Sequence, residues 1–112
     1  MTLEGAPPRR SSPRVVADRQ AREFVRTFQG RIADLQRQRA FLIGRLDRWQ
    51  RTTPDLQAKT AAEVTAYIAA VEGALADFDR DVSTLGPEVA GASRIRDTRA
   101  SLVTALSGVG RH

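Results

Sequence analysis

Residues 61–85 read AAEVTAYIAAVEGALADFDRDVSTL, and within them Ala61, Val64, Ile68, Val71, Leu75, Phe78, Val82 and Leu85 recur at intervals of three and four. An α-helix gathers side chains with that spacing on one stripe, as in the seam of a coiled coil. Strand alternation would scatter them over both faces, so the stretch predicts a long amphipathic helix. Thr53-Pro54-Asp55 stands upstream as its start signal. The threonine oxygen can cap a free amide, proline suits the first helical position, and the acid suits the helix dipole.

On the N-terminal side a second stripe runs through Val25, Phe28, Ile32, Leu35, Leu42, Leu46 and Trp49, with Arg39 at one seam position and no proline between Pro13 and Pro54. Ser12-Pro13 reads as its cap and first residue. On the C-terminal side Gly86-Pro87-Glu88 reads as a stop followed at once by a start, with glycine expected in the left-handed cap. The last stripe, Ala92, Ile95, Leu102, Leu106 and Val109, carries Arg99 in its middle, and Gly108 and Gly110 end it.

These signals predict an all-α, antiparallel three-helix bundle with coiled-coil-like packing and helices near 13–51, 54–84 and 87–107. The bundle domain is expected over 12–108, behind a flexible Pro/Arg/Ser-rich tail at 1–11 and ahead of a frayed end at 109–112. At ~1.5 Å per residue the helices would be roughly 58, 46 and 31 Å long. Folding the second on the first sets side by side residues whose numbers add to roughly 105; the third on the second, roughly 173. The third helix is therefore expected to stop near Ala66 and Arg39, leaving the first hairpin overlong and bare beyond that level. Phe41, Leu42, Ile43, Leu46, Trp49, Leu56 and Val64 all fall there. A two-helix arm hides only one stripe of them, so this end is the expected partner interface, for a homodimer or for another helical protein.

Composition bears on chemistry. The 112 residues contain no cysteine and one histidine, at position 112. Disulfides and thiolate metal sites are thereby excluded, and no imidazole cluster can form. No GxSxG, P-loop, HExxH or GxGxxG occurs, so neither catalysis nor a cofactor is expected. Asp77, Asp79, Asp81 and Glu88 imitate the EF-hand spacing, but Val82 stands where the loop needs glycine and continues the helical stripe. No metal site is expected. Met1 to Pro8 shows no apolar run of the kind a signal peptide carries, and the runs 40–43 and 66–71 are too short to span a bilayer. A cytoplasmic location is the expectation.

Charge is unevenly distributed. The net +5 divides into +7 over residues 1–51, −5 over 52–93 and +3 over 94–112. The level rule sets Asp77, Asp79 and Asp81 between Arg22 and Arg26 on one side and Arg94 and Arg96 on the other, a zipper that favours alignment. Arg37, Arg45 and Arg48 are less compensated and are candidate anion contacts. Arg39 and Arg99, charged at seam positions, are candidate register or specificity residues, with Glu63 the expected partner of Arg39. The expected function is a non-catalytic helical interaction module, a scaffold, adaptor or accessory subunit. The alternative is a basic module binding nucleic acid or an anionic surface through those arginines and the tail.

Overall fold

The computed structural model describes residues 13–109, and these form α1 (Pro13–Asp47), a 3-10 turn (Trp49–Arg51), α2 (Pro54–Val82), α3 (Pro87–Ala90) and α4 (Ser93–Thr104). No strand occurs among the described residues. Arg31 reaches Asp77 while Arg45 reaches Glu63, so α1 and α2 run antiparallel as a long hairpin. α3 packs against α1, and α4 lies against both long helices. The all-α antiparallel bundle expected from the heptads is the architecture. The tail at 1–11, the Ser12 cap and residues 110–112 lie outside the described residues.

The junctions explain where the observed helices depart from the expected ones. α1 stops at Asp47 rather than near 51, because the chain must reverse at the tip. There the Trp49 carbonyl accepts hydrogen bonds from the Thr52 amide (3.1 Å), the Thr52 hydroxyl (2.8 Å) and the Gln57 side-chain amide (2.8 Å). α2 begins as read: the Thr53 hydroxyl oxygen accepts from the Leu56 amide at 3.2 Å, and Pro54 opens the helix. Gly86 is not a left-handed cap; at φ −64° and ψ 156° it is extended and stands as the N-cap of α3.

The expected helix 87–107 is broken in two, with Ala92 extended between α3 and α4. Packing accounts for the break. On a continuous helix, residues six apart lie about 120° from each other around the axis. Val89 and Ile95 are six apart, yet both are buried, at 8% and 4% exposure. The bend turns both toward one core, and Arg96 satisfies the Gly91 carbonyl it frees, at 2.7 Å.

The core of α1 follows the heptads closely: Ala17, Ala21, Val25, Phe28, Leu35, Leu42 and Leu46 are buried. In α2 the buried line is Thr60, Tyr67, Val71, Ala74 and Phe78, whereas Val64, Ile68, Leu75 and Val82, with Leu85 just past the helix end, are half-buried and Ala61 is exposed. α2 packs against two helices, so its buried face is wider than one stripe and centres about one position aside of it. Where three helices meet, Phe78 is fully buried and its ring lies 5.5 Å from Phe24 and 5.1 Å from Phe28.

The far end of the short helices is held by side chains. The Tyr67 hydroxyl donates to the Ala105 carbonyl at 2.8 Å, and Arg39 donates to the Ser107 carbonyl from Nε (3.1 Å) and Nη2 (2.9 Å). Gly108 then turns the chain with φ +85°, a conformation glycine adopts without a Cβ penalty. Val109 follows at 1% exposure, so the frayed end expected from 109 does not begin there. The expected level of Arg39 and Ala66 is where α4 ends.

Two substitutions test this packing by denaturant unfolding. Phe78→Ala should cost about 3–5 kcal/mol through the cavity it leaves. Tyr67→Phe should cost about 1–3 kcal/mol, because the Ala105 carbonyl is left without its donor.

Candidate functional site

Past the end of α4, residues 105–109 pack on the α1–α2 hairpin as far as Arg39 and Ile43, and beyond them the hairpin seals itself better than a bare two-helix arm was expected to. Leu42 (3% exposed) and Leu46 (5%) are buried within it. Both fall on the α1 stripe that meets α2, and burial there removes them from the expected partner surface. Ile43, Trp49, Leu56 and Val64 are half-buried. Of the seven residues expected at the interface, Phe41 alone is exposed, at 57%.

Arg45 provides much of the seal. Its side chain is only 12% exposed, its Nε donates to the Thr60 hydroxyl at 3.1 Å, and its guanidinium pairs with Glu63. Thr60, at 2% exposure, passes its own hydroxyl hydrogen to the Leu56 carbonyl at 2.8 Å. The buried Thr60 hydroxyl thus both accepts and donates a hydrogen bond. The Arg45 guanidinium carbon also lies 4.9 Å from the centroid of the Phe41 ring, a cation–π contact that steadies the one exposed aromatic.

Beside Phe41 the seam between the two helices opens as a groove of about 580 Å³. Phe41 and Leu42 form its α1 bank, Ala66, Tyr67 and Ala70 its α2 bank, and Arg37 and Glu63 stand at its rim. Ala66 and Ala70 are exposed and small, so α2 presents a shallow depression directly across from a protruding ring. Gly44, next to this cluster, does not mediate close helix approach; a Cβ there would meet only the Arg48 guanidinium of the same helix, at 3.9 Å.

The arginines set apart as anion contacts are mostly engaged. Arg45 is turned inward on Glu63, and Arg37 pairs with Asp34 one turn away. Arg48 makes no ion pair among the described residues. Arg39 does not meet Glu63, which Arg45 has taken; it clasps Ser107 instead. Arg99, at the edge of its seam, forms a two-pronged pair with Asp79 at 2.8 and 2.9 Å.

The acidic run of α2 is flanked by arginine on both sides, as its composition suggested, but with other partners. Asp77 pairs with Arg31 (2.8 Å) and Arg80 (3.2 Å), not with Arg22 or Arg26; Asp79 takes Arg99, not Arg94 or Arg96. The level rule was correct to within about a turn of helix, and one turn is enough to change a partner. The run lies in unbroken α2, and no group of three or more metal-ligating side chains forms among the described residues. No described helix is long and apolar enough to cross a membrane. No family model, curated protein or solved structure matches this chain.

The ion pairs give a pH dependence. The hydrogen bond from Arg31 holds the Asp77 carboxyl below its ordinary value, and that from Arg99 does the same for Asp79. A carboxyl lowered by folding stabilises the folded state above its unfolded value of about 4, and that contribution drains as pH falls through the lowered one. Thermal unfolding followed from pH 6 to 2.5 should show a steeper decline in Tm for the native chain than for Asp77→Asn with Asp79→Asn.

Proposed function

We propose that the protein is a non-catalytic helical interaction module, serving as a scaffold, adaptor or accessory subunit, and that it engages another α-helical surface through the open seam of its hairpin arm. One observation carries the reading: Phe41 stands 57% exposed at the edge of an apolar groove between α1 and α2, at the level where Tyr67 holds the end of α4. Fully burying such a side chain is worth about 1.5–3 kcal/mol, more than an isolated surface aromatic contributes to the fold that displays it. A protruding ring next to small side chains is also the geometry in which one helix lies closely on another. The alternative of anion binding through Arg37, Arg45 and Arg48 loses ground here, since two of the three already have carboxylate partners.

The reading is tested by placing the photo-crosslinker benzoylphenylalanine at position 41, and at exposed Gln29 as a control, in the cell that makes the protein. Protein adducts at position 41 that are absent at position 29 are the expected result. No adduct at 41, or the same adducts at both positions, would overturn it.

A further inference from the structure

We draw no further inference here: the strongest candidate, the apolar groove between α1 and α2 beside Phe41, belongs to the site already described, and nothing in the structure shows what covers it.

Discussion

The point on which this structure turns is the clasp at the end of the short helices, where Tyr67 and Arg39 donate to the carbonyls of Ala105 and Ser107. A helix terminus leaves carbonyls without partners, and burying them unsatisfied is costly. Here one donor comes from α2 and one from α1, so the end of α4 is tied to both arms of the hairpin at a single level. Burial pushes the Tyr67 pKa up, which keeps its hydroxyl protonated and able to donate. Below the clasp the protein is a three-helix core with the three phenylalanine rings; above it, it is a hairpin. The groove beside Phe41 lies at the level of that clasp, with Tyr67 in its wall.

The hairpin arm stays ordered by a different means. A two-helix arm cannot bury apolar residues on all sides, and the described arm compensates with polar groups that complete one another. Arg45 lies along the seam with its charge on Glu63 and its Nε on Thr60, and Thr60 returns its hydrogen to the backbone. A partly buried ion pair of this kind does little for net stability but penalises any register that leaves either charge alone. The exposed Asp77–Arg31 pair acts in the same sense farther along the hairpin, and Asp79–Arg99 does so between α2 and α4, both with weaker effect because solvent screens them. Register along the whole hairpin is thus specified by charge, while the apolar stripe supplies the energy.

That arrangement alters what the arginines are available for. A basic composition suggests an anion-binding face, and the first half of the chain is strongly basic. In the folded hairpin Arg31 and Arg45 are answered by the acidic α2, Arg22 and Arg37 by acids of α1 itself, and Arg39 is committed to a backbone carbonyl. What remains distinctive on the arm is apolar: one aromatic ring beside a shallow alanine-lined groove. A surface of that kind recognises shape and excludes water, which suits a protein partner better than a phosphate backbone.

Most of the α1 heptad was legible, since Val25, Phe28, Leu35, Leu42 and Leu46 are large, apolar and all buried, while Ile32 and Trp49 of the same stripe are half-buried. The helix start at Pro54 was legible too, because proline and its neighbours act within a few residues of chain. The level at which α4 ends could be read as well, since helix rise and short turns are local properties that add along the chain. Tyr67 and Thr60 were missed because hydropathy ranks them below Ile68 and Val64, although their hydroxyls have partners that make burial favourable. The break at Ala92 was hidden because both halves are good helix, and only the demand that Val89 and Ile95 face one core divides them. Likewise the sequence left Glu63 open to Arg39, but Arg45 occupies Glu63 and Arg39 donates to the Ser107 carbonyl. Periodicity, caps and rise therefore belong to the sequence, as interactions between near neighbours. Which polar groups pair, and which apolar ones stay wet, is settled by competition among side chains far apart in the chain, and only packing resolves it.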